Sequence, residues 1–411
     1  MSASPCRSSL ARIRRPGRPD LDGDLVVRNV GRLTTWARPV MTDGALLVRA
    51  GRVEWVGADR DLPAGLGDVD ELDAAGAAVL PGWVDCHTHA VWAGARREEL
   101  VARVAGKPYA AGGINATVAA TRAASDEALL ALASERMRVM RHNGTTTVEV
   151  KSGYGLTPAD ECRLLDVARD AAALQGLRVT TTYLGAHVVP DSRHRDDYVR
   201  EVIASLPAAR HHGAEWCDVF CDEGAFTVDE ARRVLVAAAA AGLGLRIHAE
   251  QIARTGAALL AAELGCASAD HLDHVTDEDA RALAVGGVVA VVVPVVSLYS
   301  RSQTWSHAQR LADAGCTLAI ATDCNPGSAW CESMPYAVQL ACLAMGLPVD
   351  VALRAATLGG AAALRRDDVG HLGVGARGDL IVLAADHEAD LVAHLGADAV
   401  IRTVVHGCPI G

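Results

Sequence analysis

Lysine is almost missing from this 411-residue chain: 37 of its 39 basic residues are arginine, and only Lys107 and Lys151 depart from that rule. No Lys/Arg run follows the first twenty residues and the formal net charge is −11, so there is no footprint for a nucleic-acid backbone or an anionic membrane. That excludes the polyanion-binding classes and leaves a small molecule as the expected partner. Long apolar runs are missing as well. The stretch 287–293 stops at Pro294, far short of the roughly 20 residues a spanning helix needs, and a soluble chain is expected. The eleven cysteines include no C-x-x-C pair and no regular spacing, which points to reduced thiols in a cytoplasmic setting and away from a disulfide framework or a zinc ribbon. Cys217 and Cys221 read accordingly as two buried strand residues. Residues 1–20 are rich in Arg, Pro and Ser but lack an apolar core, so they are expected to be a disordered leader and not a secretory signal.

Half of the residues are apolar and 22% are charged, enough for one large domain and a small one. From about residue 145 to 323 a short β-branched run, a polar tip and an amphipathic helix alternate, the signature of βα units and a parallel sheet. Eight strands are expected, at 83–87, 145–151, 179–185, 217–221, 245–248, 267–271, 288–293 and 317–322. Helices are expected between them, among others at 126–142, 158–174, 228–241 and 304–314, with starts at Ser125-Asp126 and Thr157-Pro158. Eight such units predict a (β/α)₈ barrel over 81–365. Flanking runs at 24–30, 45–48, 53–56, 380–383 and 400–405 read as strands too few to bury a core alone. They are expected to join into one small β-sandwich domain from residues 21–80 and 366–411.

In such a barrel the chemistry sits where strands end. Here the ends read Asp85-Cys86-His87-Thr88-His89, Glu149-Val150-Lys151, Gly185-Ala186-His187, His248-Ala249-Glu250-Gln251, Asp270-His271 and Thr322-Asp323. Residues two apart on a strand point the same way, so His87 and His89 can reach one cation, with His248, His271 and Asp323 on other strand ends of the same barrel; zinc and iron suit imidazole and carboxylate ligands. A catalytic metal keeps a position open for water. Asp323 can hold and deprotonate that water, and His271 can move protons and polarise the group under attack.

The run Pro81-Gly82-Trp83-Val84-Asp85-Cys86-His87-Thr88-His89 resembles the amidohydrolase superfamily, whose members carry Pro-Gly-x-x-Asp-x-His-x-His after a short β domain. Gly94-Ala95-Arg96, Gly112-Gly113-Ile114, Lys151-Ser152-Gly153-Tyr154-Gly155, Leu184-Gly185-Ala186-His187 and Asp323-Cys324-Asn325-Pro326-Gly327-Ser328 are similar, in order and spacing, to the imidazolonepropionase family within it. The resemblance covers about residue 24 to the end. It implies hydrolysis of the ring C–N bond of 4-imidazolone-5-propanoate to N-formimidoyl-L-glutamate, in histidine degradation, by a metal-activated water. It implies one Zn²⁺ or Fe³⁺ per chain on His87, His89, His248 and Asp323, with Arg96, Tyr154, His187, Gln251, Asn325, Gly327 and Ser328 around the substrate. Arg96 is expected to pair with the substrate's carboxylate tail and not with a structural partner. The loop after His248 reads Ala-Glu-Gln where other members read Ala-Asp-Glu, which leaves the part of Gln251 in proton transfer open. Competing readings are an aromatic deaminase, a formimidoyl-glutamate deiminase, or a barrel that has lost its chemistry. Zinc against iron and the assembly, a homodimer among the options, are open at this point.

Overall fold

The computed structural model describes residues 22–106, 113–302, 305 and 307–410. The leader, Lys107, Gly112 and Thr304 lie outside the described residues. Five strands come first: β1 (Leu25–Leu33), β2 (Met41–Arg49), β3 (Arg52–Ala58), β4 (Asp70–Asp73) and β5 (Ala78–Pro81). Eight parallel strands follow, β6 (Trp83–Asp85), β7 (Thr145–Lys151), β8 (Arg178–Ala186), β9 (Trp216–Cys221), β10 (Gly244–Ala249), β11 (Ser268–His271), β12 (Val289–Val292) and β13 (Leu318–Ile320). The chain closes with β14 (Leu380–Leu383), β15 (Val400–Val405) and β16 (Cys408–Ile410).

Strands β6 to β13 pair in sequence order, each at one of the eight expected positions. Helices cover the outside and side chains fill the inside, so every residue of β7, TTTVEVK, is buried. Backbone bonds past the strand ends close the barrel: Asp323 N–H donates to the His87 carbonyl at 3.0 Å, and His89 N–H to that of Cys324 at 3.0 Å. Just below, Asp85 accepts from Thr322 Oγ1 at 2.6 Å and from its N–H at 3.1 Å. Burial pushes the Asp85 carboxyl up to about 7, against those two bonds.

The helices begin where the sequence places them. Ser125 Oγ accepts from the Ala128 N–H and Thr157 Oγ1 from that of Asp160, each satisfying an amide the helix itself leaves open. Helix Asp126–His142 buries Leu129, Ala133, Met137 and Met140 against the barrel, the expected face of a 3.6-residue period. The helix expected at 304–314 is described over His307–Asp313 and ends one residue earlier than expected.

The other strands form one mixed sheet of eight, from both ends of the chain, in the order β16-β15-β14-β5-β1-β2-β3 with β4 also on β1. Its core is Leu25, Val27, Leu46, Val48, Leu380, Val382 and neighbours. Strand β1 runs longer than expected because it serves two partners. Residues 25–28 pair with β4 and 32–33 with β5, and between them the register breaks at Arg28 and Asn29, the latter at φ +53°. Strand β4 went unseen in the sequence since three of its four side chains are exposed and acidic. Among the described residues no helix is long and apolar enough to cross a membrane.

Removing the Thr322 hydroxyl leaves a buried acceptor on Asp85 without its donor, at the seam that closes the barrel. Thr322→Val is therefore expected to lower stability by about 1–3 kcal/mol in a denaturant titration, whereas Thr322→Ser keeps most of it. Equal midpoints for the two variants would show that the seam does not depend on this contact.

Candidate active site

The strand ends deliver their polar groups to one mouth of the barrel. His87 and His89 follow β6, His248 lies in β10, His271 ends β11 and Asp323 follows β13. All are buried. His271 has φ +82° and Asp323 φ +49°, left-handed conformations unusual for residues other than glycine, which turn both side chains sharply as their strands end.

Each of two imidazoles is gripped from behind by a carboxylate. His87 Nδ1 is 2.6 Å from Asp270 Oδ2, and His248 Nδ1 is 3.0 Å from Asp218 Oδ1, so in both rings the proton sits on Nδ1 and Nε2 faces forward. His87 Nε2 is 3.4 Å and His89 Nε2 3.3 Å from Asp323 Oδ1. His87 Nε2 and Asp323 Oδ1 are buried and make no hydrogen bond among the described residues, an arrangement costly unless something else binds them. One ligand atom each from His87, His89 and Asp323 falls within 4.8 Å of the others, and so does one each from His87, His248 and His271. Imidazole nitrogens and a carboxylate oxygen at these spacings fit a transition-metal ion.

The charges of the metal-free site follow from burial and neighbours. Burial drives His248 down to about 4 despite Asp218, and His271 down to about 3 despite Asp323, so both are neutral imidazoles. His87 goes the other way. Burial and Lys151 oppose its charge, but the Asp270 and Asp323 carboxylates prevail and raise it to about 9. Burial works against the Asp323 carboxylate too, yet the close imidazoles of His87 and His89 hold it well below the usual range.

Above these groups opens a small cavity. His89, His248, His271 and Asp323 form its floor, and Arg96, Tyr154, His187, Gln251, Asn325 and Ser328 contribute to its wall. His187 donates from Nδ1 to the Gly153 carbonyl at 2.8 Å, leaving Nε2 as an acceptor, and its ring stacks on His89 with centroids 5.2 Å apart. Arg96 departs from expectation in one respect. Its Nε donates to Glu99 Oε1 at 2.8 Å and Nη2 bonds the other oxygen, so it does have a structural partner. Gly113 and Gly327 flank its guanidinium, where an added Cβ would come within 2.2 and 2.3 Å of the nitrogens. Gly327 thus stands behind the wall, its N–H bound by Asn325 Oδ1 at 2.8 Å. Asn325 uses its amide for that same turn, accepting from the Ser328 N–H at 2.7 Å and donating to the Asp323 carbonyl at 2.7 Å.

Buried carboxylates fold the remaining wall loops. Glu161 accepts the N–H groups of Gly153, Gly155 and Leu156 at 2.6, 2.8 and 2.7 Å, which sets the loop that carries Tyr154. Asp222 does the same for Gln251, Ile252 and Ala253, and Glu250 for Thr255, Gly256 and Ala258. None of these carboxylates, nor Asp218, stood out in the sequence as a site residue. The available signal was a lone acid inside an apolar barrel strand, as in Trp-Cys-Asp218-Val-Phe-Cys.

Residues 78–409 match the model of the amidohydrolase family. Imidazolonepropionase of Salinispora arenicola is 45% identical over 395 residues, 94% of this chain and 98% of that protein. The imidazolonepropionase of Saccharopolyspora erythraea is 47% identical, over 90% of this chain and 95% of its own length. The chain belongs to the amidohydrolase family and, within it, to the imidazolonepropionases. Solved amidohydrolase folds also superpose: an adenosine deaminase from Xanthomonas campestris with bound zinc has a TM-score of 0.73 at 20% identity, covering 94% of this chain and 92% of that one. A 5-methylcytosine deaminase from Klebsiella pneumoniae gives 0.74 at 17%, covering 94% and 98%. At such identity these two speak for the shared barrel alone. The imidazolonepropionase relationship also favours a hydrolase with a small-molecule substrate over a silent barrel.

Glu161→Gln keeps the side-chain shape but turns one accepting oxygen into a donor that faces a backbone N–H. Faster hydrogen exchange at Gly153, Gly155 and Leu156 is expected, with a stability loss of about 1–3 kcal/mol. Unchanged protection at these three amides would mean that the Tyr154 loop is held by other contacts.

Proposed function

We propose that this chain hydrolyses the ring C–N bond of 4-imidazolone-5-propanoate to N-formimidoyl-L-glutamate, with His87, His89, His248 and Asp323 holding a single zinc or iron ion. The observation that carries the reading is the meeting of three imidazoles and a carboxylate on the floor of one buried cavity that has an arginine in its wall. When bound, such an ion supplies Lewis acidity and makes a water nucleophilic near neutral pH. Asp323 takes the proton of the attacking water as it adds to the ring carbonyl carbon. His271, neutral in its buried position, donates a hydrogen bond to the oxygen that gains charge, and the proton passes on to the ring nitrogen as its bond to carbon breaks. His187 Nε2 and the Tyr154 ring face the bound ring system. Arg96, held by Glu99 and flanked by two glycines, pairs with the carboxylate tail, and Gln251 and Ser328 supply neutral hydrogen bonds. Seven buried cysteines that form no disulfide among the described residues fit a cytoplasmic enzyme.

An assay of the loss of imidazolone absorbance, run beside elemental analysis, tests this reading. Asp323→Asn is expected to lower kcat by at least about 10²–10⁴-fold, the range for loss of a general base, and to weaken metal retention. His271→Asn is expected to lower kcat and kcat/KM together with metal content nearly unchanged. Loss of metal from His271→Asn, with Asp323→Asn still active, would make the strand-end histidine the ligand and reverse the two roles.

Of the four groups only His87 holds an extra proton and a positive charge in the metal-free site at neutral pH, so uptake of an ion must displace that proton. Metal affinity of the apoprotein is expected to rise by about tenfold per pH unit up to about pH 9, and to level off above it as His87 becomes neutral. A competition titration across that range checks the slope, and a flat profile below pH 8 would contradict the assignment.

A further inference from the structure

Lys151, one of two lysines in the chain, is fully buried beneath the floor of the site with no place in the steps above. Its ammonium lies 2.8 Å from Asp218 Oδ2, 3.0 Å from Glu149 Oε1 and 3.7 Å from Asp270 Oδ2. Asp218 and Asp270 are the two carboxylates that orient His248 and His87. The two are not held alike. Asp270 Oδ2 has a second cation, Arg246 Nη2, at 3.3 Å, and that guanidinium is itself pinned by the carbonyls of Cys86 at 2.7 Å and Ala363 at 3.1 Å. For Asp218 the cation in contact is Lys151, and Asp218 in turn bonds both the backbone N–H of His248 at 3.2 Å and its Nδ1.

We propose that Lys151 is a positioning residue that acts as a free ammonium: it locks Asp218 and, through it, sets the direction in which His248 presents Nε2. The chain of contact is Lys151 to Asp218 Oδ2, across the carboxylate to Oδ1, and on to His248 Nδ1. A carboxylate without its cation can rotate about its last bond, and the ring it holds then samples directions away from the shared point. His87 is spared by Arg246. The proposal rests on the reading that His248 binds a metal ion.

The test uses the full chain loaded with zinc and follows release of the ion into an excess of chelator. Lys151→Met is expected to speed release about 10–100-fold, the usual effect of removing an outer partner of a metal-binding histidine, and to lower kcat with little change in KM. Asp218→Asn should do the same. The decisive comparison is Asp218→Asn alone against the pair Asp218→Asn with Lys151→Met, which removes one charge of each sign and so leaves one fewer unpaired buried carboxylate than the single lysine variant. If Lys151 works through Asp218, the two release zinc at the same rate within a few-fold, because the second change has nothing left to disturb. Effects that multiply in the pair overturn the proposal, as does wild-type release in Lys151→Met. So does an intact mass of the wild-type protein showing a carbon dioxide adduct on Lys151. Wild-type protein that retains no metal at all defeats the functional reading itself, an outcome distinct from retained metal that ignores Lys151.

Discussion

Everything at this site depends on the seam between the first and last strands of the barrel. Two backbone hydrogen bonds, from Asp323 to the His87 carbonyl and from His89 to the Cys324 carbonyl, tie the two strand ends together one step above the Asp85–Thr322 contact. They bring His87 and His89 from the start of the barrel onto Asp323 from its end, at 3.3–3.4 Å. Without closure the remaining strands would still pair in order, yet the imidazole pair and the carboxylate would lie on opposite edges of an open sheet. Closure is what turns dispersed polar strand ends into one cluster, and the cluster's electrostatics follow from its burial.

A second regularity lies one layer out. The loops that form the cavity wall contain no regular structure to satisfy their amides, so a buried side chain gathers those amides instead: Glu161 for the Tyr154 loop, Asp222 for the Gln251 loop, Glu250 for the turn into helix Ala257–Leu264, and Asn325 for the turn to Ser328. Side chains facing the cavity are therefore fixed in part by Glu161, Asp222 and Glu250, which do not line it. Acidic groups in this part of the chain serve shape as well as chemistry.

The barrel was legible because its signal is local and repeated. Each β-branched run ends in polar residues, and runs such as Thr145–Lys151 are buried on both faces and cannot be mistaken for surface strands. The clustered histidines were legible for the same reason, as each occupies a strand end. What the sequence hid depends on pairing across space. Strand β4 is held by backbone bonds to β1 and carries no apolar alternation. Asp218 gains its meaning only from His248, one strand away, and Lys151, two strands away. The contact of Arg96 with Glu99 was close in sequence, three residues apart at a helix start, but nothing in the spacing says whether such a pair faces inward or outward.

The small sheet has a consequence for how the chain comes to be folded. Strand β5 pairs on one side with β1, already synthesised, and on the other with β14, through Val79–Val382 and Leu80–Ile381. During synthesis the first half of that sheet must wait, with an apolar edge open, until nearly the whole barrel has left the ribosome. A contact of such long sequence separation is slow to form and closes late, and an open edge invites pairing with other chains in the interval. From β7 to β12 each barrel strand meets the next after a single helix, and the seam between β6 and β13 is the barrel contact that waits for the last strand. Assembly is thus expected to run outward from the barrel, with the two chain ends fastened last, so that a ribosome stalled before β14 would leave a protein with its catalytic strands in place and its sheet unfinished.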